Sequence, residues 1–489
     1  MKRRAFLQHG AGLVGAACAP WTSIAAAQPV PSAPAAARPL NIVVIGAGMA
    51  GMAAALDLID AGHRVSIVEA RARAGGRVYT IRGPFAEGLY AEAGAMQVFD
   101  AHTRVMHRIK ALDVAIDPIV PSPHAAIVYA QGKRVPITPG RPVEWPYDLT
   151  PEERTLDRRQ LWQRYVVPVL NDVAQAEADG GLPGPLRRYD EMTFTAFLQS
   201  RGASPAAIAI LRTGLVAGLG DGSDRVSALN LLREAMHREE FKQGYTIRGG
   251  TDRLPLALAH RLRDVIRYGL PVVRIEQRST DVAVICDRGG HHETLTADRV
   301  VCAIPFPLLR RIEVAPTLSP EKQMAVERLQ YTSVTRVYLQ TRTRFWLDEG
   351  FSGYAQTDLP IMGVYDRTVN QAGTRGILES YTSGEPARRL RPMSDRERVE
   401  ATLASMRLVH PTIVDAFESG TSYCWEADEW ARGGYAWFKP GEMTTLLPSV
   451  LRQEGRLHFA GDHASSSPGW MEGALESAER IVQEIARAS

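Results

Sequence analysis

Three glycines and a glutamate carry the clearest chemical signal in this 489-residue chain. Gly46-x-Gly48-x-x-Gly51 directly follows the apolar run Ile42-Val43-Val44-Ile45, and Glu69 stands eighteen residues beyond Gly51. Gly46 permits a tight turn, Gly48 lets backbone approach a pyrophosphate, and Gly51 lets a helix pack closely on a sheet. A carboxylate at Glu69 accepts hydrogen bonds from ribose hydroxyls and disfavours a 2′-phosphate. Gly75-Gly76-Arg77 follows. Its two glycines bring further amides within reach of phosphate, and its guanidinium adds fixed positive charge. This is the chemistry of a bound dinucleotide. Metal chemistry is not expected, because no CxxC or HExxH occurs; of the four cysteines, the three beyond residues 1–27, Cys286, Cys302 and Cys424, read as buried thiols in strand-like or apolar settings.

Local elements must hold these groups in place. The β-branched run 42–45 suits a strand buried on both faces. A helix is predicted from Met49 to about Ala61, stopped by Gly62, with a second strand from Arg64 to Val68 that delivers Glu69. Apolar spacing in 188–202 and 206–219 predicts helices, and Gly289-Gly290-His291-His292 reads as a hairpin turn with solvated histidines.

With Gly75-Gly76-Arg77 in place, the chain resembles the FAD-dependent amine oxidase family, which includes monoamine oxidases and L-amino-acid oxidases. Four distant pieces repeat the resemblance in the family's order: "GYTIRGGTDRLPLALAHRL" (244–262), "LPVVRIEQ" (270–277), "RVVCAIPFPLLRRI" (299–312) and "RLHFAGDHASSSPGWMEGALESAERIVQEI" (456–485). The resemblance implies an α/β fold. A Rossmann-like FAD-binding domain would be built from discontinuous segments, 40–105, 240–305 and 450–489. A helical part of the substrate domain would occupy 106–239, and 306–449 would mix strands with helices. It also implies that FAD meets Met49 and Ala50 at the helix start and Ala70 and Arg71 after the glutamate. Gly94, Ala95, Met96 and Gln97 would form a turn on the flavin side, and Val272 would meet the adenine. Gly461, Asp462, Gly469, Trp470 and Met471 would close the site, with Asp462 where the family usually has Glu. Tyr365, Trp437 and Trp470 would form an aromatic substrate pocket, with Trp437 and Trp470 beside the reacting carbon.

Two departures bear on the substrate. The amino-acid oxidases of the family carry Arg at the position of Gln97, where it grips the substrate carboxylate; Gln supplies no charge. The family's common Lys near the flavin aligns with Arg336. That residue stays protonated, so it can anchor a carboxylate or a water but cannot act as a base. The implied reaction is hydride transfer from a primary or secondary amine, or an L-amino acid, to flavin. Imine, then carbonyl and ammonia or a smaller amine, would follow, with oxygen reoxidising the flavin to give hydrogen peroxide. A dehydrogenase or desaturase using another electron acceptor, and an inactive FAD-binding scaffold, remain open at this stage. FAD is expected to be non-covalent: where some monoamine oxidases have the attaching Cys of Gly-Gly-Cys-Tyr, this chain reads Gly433-Gly434-Tyr435.

The composition is that of an ordinary globular protein, 45% apolar and 23% charged. Setting aside Lys2, Arg3 and Arg4 leaves 54 basic against 54 acidic residues, without the basic excess of a nucleic-acid binder. No segment carries the roughly 18 consecutive apolar residues of a membrane span. Whether the chain forms a homodimer is left open. Residues 1–27 read as a twin-arginine signal, with Arg3-Arg4 before Ala5-Phe6-Leu7 and small residues before Gln28; residues 28–39 read as a Pro/Ala linker. The expected partner is the twin-arginine translocase, and the expected location is periplasmic or secreted. Cys18 lies in a stretch that faintly resembles a lipoprotein box, with Gly15 where Leu is usual. Replacing Arg3 and Arg4 together by Lys should leave full-length precursor in the cytoplasm. Cell fractionation checks this, and unchanged export would point to another route.

Overall fold

The computed structural model describes residues 38–179, 184–213 and 220–488. The signal, most of the linker, Cys18 and residues 214–219 of the second predicted helical stretch lie outside them. β1 (Asn41–Ile45), α1 (Met49–Asp60) and β2 (Arg64–Val68) form within a residue of the limits expected from sequence. β1 is central in a five-stranded parallel sheet. Its neighbours are β2 on one side and Arg299–Cys302 on the other; Ile266–Arg267 and Leu457–Phe459 lie at the edges. Alternate β1 residues enter different cores: Val43 and Ile45 join one apolar cluster, Ile42 and Val44 another. That is why the run is β-branched without polar interruption. A Cβ added at Gly51 would lie 2.0 Å from the Gly46 carbonyl oxygen and 3.1 Å from Ala303 Cβ, so only glycine lets α1 settle on the sheet here.

The strands of this sheet come from all three stretches assigned to the FAD-binding domain. A second, seven-stranded sheet is ordered 417–424, 334–341, 376–383, 363–366, 351–357, 125–130 and 133–137. Its last two strands correct the expectation of a helical 106–239. Ala125–Ala130 and Lys133–Ile137 form a hairpin whose turn residues, Gln131 and Gly132, have φ of 53° and 71°. Two positive φ values match the strand twist, and this two-residue turn was the available sequence signal. Ile116–Pro118 adds a short strand paired with Gly244–Ile247, and the helices described from Arg158 onward end in α2 (Ala228–Arg238), whose apolar side packs into the cluster that also takes up Val43 and Ile45. The last helix, α3 (Met471–Ala488), packs along α1. Gly289 and Gly290 make the expected turn, and His291 and His292 are exposed. Cys286, Cys302 and Cys424 are free and buried. Among the described residues no group of side chains could hold a metal, and no helix is long and apolar enough to cross a membrane.

A buried cation lies against the edge of the five-stranded sheet. Lys322 has no exposed surface; its Nζ donates to the Val450 carbonyl at 3.1 Å and sits 3.8 Å from the centre of the Phe459 ring. Burial drives its ammonium from 10.5 down to about 7. The unfolded chain therefore binds this proton more tightly than the folded one. The cost to stability is complete below about pH 7 and fades as pH rises towards the ordinary lysine value. Lys322→Met should melt above the parent protein at about pH 6, with the gap narrowing towards about pH 10. Thermal unfolding across that range checks it; a gap that does not change with pH would show that Lys322 is not a buried titrating group.

Candidate active site

A cavity of about 720 Å³ opens where the five-stranded sheet ends. Residues following four of its strands line it: Gly46 after β1, Glu69 after β2, Ala303 and Ile304 after the strand Arg299–Cys302, and Gly461 and Asp462 after Leu457–Phe459. Ligands of open α/β sheets bind in this crevice. α1 starts at Gly48 with no side-chain cap, so its first amides and its positive dipole end face an anion site. Gly75 N donates to the Ala47 carbonyl at 2.8 Å, which lays the second glycine loop against the first. Glu69 is buried; one carboxylate oxygen accepts from Ala47 N and the other from Arg71 N, both at 2.8 Å. Burial raises its pKa and these two amides oppose the rise.

The two arginines near this cradle do something other than expected. Arg77 is ion-paired with Asp462, and its Nη1 also donates to the Gly434 carbonyl at 2.7 Å. Arg71 is paired with Asp428. Burial pushes the Asp462 carboxyl up, but Arg77 and its other partners outweigh this and hold it below the usual range. Arg77 is thus engaged in tying distant segments together, and the groups left to face an anion are backbone amides, the helix end and Arg311 on the wall. The residues present are of the kinds that fit a bound dinucleotide: uncapped helix amides, a buried carboxylate after β2, a second glycine loop, and Val272 on the wall.

Of the residues singled out from sequence, Gly46, Gly48, Met49, Ala50, Glu69, Ala70, Arg71, Gly75, Gly76, Arg77, Gly94, Ala95, Met96, Gln97, Val272, Arg336, Tyr365, Gly461, Asp462, Gly469, Trp470 and Met471 all line this cavity. Gly51 lies behind it, as its packing role requires. Trp437 is a correction. It is 1% exposed, does not line the cavity, and packs against Gly220, where an added Cβ would lie 2.6 Å from the ring's Cγ. Its neighbours Gly434, Tyr435 and Ala436 reach the wall instead.

The seven-stranded sheet supplies the opposite wall. Arg336 and Tyr381 are cross-strand partners, and Gly363 pairs with Tyr381 on the other side, so Tyr365, two residues on, shares their face. Arg336 is 5% exposed. Its Nη1 donates to the Glu92 carbonyl at 2.9 Å, its Nε lies 3.6 Å from the Glu379 carboxylate, and its guanidinium covers the Tyr381 ring at 4.5 Å. Burial raises the pKa of Tyr365 and Tyr381, so both are neutral phenols at physiological pH. Tyr354 stacks edge-on with Tyr365, centroids 5.3 Å apart.

Sequence reasoning missed the third wall. α2 contributes Asn230, Arg233, Glu234 and Arg238. Glu234 accepts from Arg238 Nε at 2.8 Å and from Trp470 Nε1 at 3.3 Å, and Arg238 covers the Trp470 ring at 5.4 Å. The i, i+4 spacing of Glu234 and Arg238 was legible, but such a pair is ordinary on a solvated helix face. Nothing local says that this turn of α2 faces a cavity.

Comparison with known proteins agrees with this geometry. The profile for flavin-containing amine oxidoreductases matches residues 49–486. A Bacillus subtilis (strain 168) protein named "Putative L-amino-acid oxidase YobN" is 33% identical over 463 residues, spanning 92% of this chain and 95% of that protein. An L-amino-acid oxidase of Siganus canaliculatus is 31% identical over 91% of this chain and 85% of its own length. In fold, the chain is similar to a wild-type putrescine oxidase solved with putrescine, with a TM-score of 0.79 at 24% identity over 92% of this chain and 99% of that one. Cyclohexylamine oxidase from Brevibacterium oxydans IH-35A gives 0.77 at 21% identity, with the same coverage. With its cavity at the strand ends and a family match running almost from α1 to the C-terminus, the chain belongs to the flavin-containing amine oxidoreductases.

Proposed function

We propose that this protein is an exported oxidase that holds FAD non-covalently and oxidises an amine or L-amino acid, passing the electrons on to oxygen. The observation that carries this reading is the continuity of the cavity. The same space runs from the glycine loops and Glu69 to a chamber of Tyr354, Tyr365, Tyr381, Tyr435 and Trp470. When bound, the flavin supplies the acceptor for the hydride on the amine-bearing carbon. The chain's own groups orient that carbon. Trp470, steadied by Glu234, and the neutral tyrosines wall the chamber, and the Gln97 amide offers an uncharged donor and acceptor at its edge. Arg336, anchored to the Glu92 carbonyl and to Glu379, keeps its proton. No lysine or histidine lines the cavity among the described residues, so the substrate amine gives up its proton to solvent before it reacts. Non-covalent attachment is supported by the lining too, which includes neither cysteine nor histidine among the described residues. Export rests on Arg3-Arg4 and the leader that follows them.

Three outcomes test this. An anaerobic screen of amines and L- and D-amino acids should find substrates that bleach the flavin, and admitting air should restore the colour with formation of peroxide. Colour that returns only with an added electron acceptor would identify a dehydrogenase, and no bleaching by any amine would sink the assignment. Acid precipitation should release the yellow colour into the supernatant, and Glu69→Ala should weaken FAD binding by about 1–3 kcal/mol, measured by titrating the apoprotein. The rise of kcat/KM with pH should follow the ionisation of the substrate amine. Changing to a substrate with a less basic amine should move the profile by the same amount; a profile that stays put would reveal a protein base.

A further inference from the structure

The charge on the substrate side of the cavity is lopsided. Arg158, Arg233, Arg238 and Arg336 line that half, and Glu234 is the one carboxylate contributed there among the described residues. Glu234 already accepts from Arg238 and Trp470. A second ammonium on the substrate, as in a diamine, would meet guanidiniums and no uncommitted carboxylate. A carboxylate would meet the opposite sign everywhere in the chamber. Gln97 cannot hold it by charge, and Arg336 is enclosed by Tyr381, Glu379 and the Glu92 carbonyl.

Arg238 differs from Arg336 in the way a ligand needs. Its Nε and Nη2 rest on Glu234, both at 2.8 Å, and its flat face covers Trp470. Among the described residues Nη1 has no acceptor, and 35% of the side chain remains open. The guanidinium is therefore fixed in direction with one donor edge unfilled. Arg238 lines the same cavity as Tyr365, Tyr435 and Trp470, so it borders the aromatic chamber.

Resting on the oxidase reading above, we propose that Arg238, braced by Glu234, is the carboxylate-recognising residue of this site, and that the preferred substrate is an amine bearing a carboxylate rather than a diamine or simple amine. The clamp has moved from the turn at Gln97 to the end of α2. Such a carboxylate has two sources, the α-carboxylate of an amino acid or the terminal carboxylate of an acidic or ω-amino acid.

The test pairs substrates that differ only in that group. In the wild-type protein, L-phenylalanine should exceed 2-phenylethylamine in kcat/KM if the α-carboxylate is read; 4-aminobutyrate and L-glutamate should exceed butylamine and L-leucine if a terminal carboxylate is read. Putrescine should be poor in either case. Arg238→Met should cut kcat/KM for the favoured carboxylate substrate by roughly 10- to 100-fold more than for its simple-amine partner, mostly through KM. Arg238→Lys should recover part of the loss. Calorimetric titration of the flavin-loaded protein with 3-phenylpropionate and with glutarate, neither of which can be oxidised, reads the clamp without turnover. Heat of binding to at least one of them should be present in wild type and absent in Arg238→Met with equal flavin content. Failure of every amine to bleach the flavin would count against the oxidase reading and leave this binding result standing. Equal use of the amine partners by wild type, or equal binding of both carboxylates by Arg238→Met, would overturn the assignment of Arg238.

Discussion

The buried ion pair between Arg77 and Asp462 is the contact on which the site depends. It joins the loop after β2 to the segment after the strand Leu457–Phe459, and through the Gly434 carbonyl it also takes hold of the substrate-side chain. Asp462 in turn accepts from Gly469 N at 3.0 Å, which positions the approach to Trp470 and α3. Asp462 is buried and Arg77 largely so, and their charges are met by each other, by the Gly434 carbonyl and by Gly469 N. Removing one member of such a pair typically costs about 3–5 kcal/mol, since the other is left buried and uncompensated. A domain assembled from three separated stretches needs a tie of this kind, because no single stretch can bury its own edge of the sheet.

The same arginine fixes the turn that carries Gln97. A Cβ at Gly94 would lie 1.7 Å from the Arg77 carbonyl oxygen, so the turn closes down on this backbone only because residue 94 is glycine. From the other side, Arg336 and the Tyr338 hydroxyl both donate to the Glu92 carbonyl, at 2.9 and 2.7 Å. The turn is thereby held between the two sheets. Gln97 takes its position from both domains, and the chamber's width is set by contacts rather than by loop flexibility.

How much of this was legible followed the range of the forces involved. β1, α1 and β2 could be read almost to the residue, because the β-branched run, the glycine spacing and the stop at Gly62 are local and each demands one conformation. The cofactor lining followed, since those loops are continuous with these elements. The substrate walls were harder. Trp437 is aromatic and close in sequence to lining residues, yet its ring turns into the core where Gly220 leaves room for it, a pairing more than two hundred residues apart. Arg238 and Glu234 gained their place from the packing of α2, which no local pattern specifies. Residues 125–137 were missed as strands because their pairing partner, 351–357, lies far along the chain, although the Gln131-Gly132 turn was there to be read.

The two halves of the cavity solve their electrostatics in opposite ways. In the cofactor half, Arg71 is paired with Asp428 and Arg77 with Asp462, which leaves backbone amides, the α1 dipole and the guanidinium of Arg311 on the cavity wall to meet an anion. Amides do not change charge state, so that half should hold its ligand over a wide pH range. The other half keeps an excess of guanidinium, with Arg158, Arg233, Arg238 and Arg336 set against Glu234 among the described residues. Arg336 illustrates the consequence. Buried beside Glu379, which it shares with Arg367, it is locked in the charged state and in one pose. It can hold a wall and orient a carbonyl or water, but it cannot take a proton.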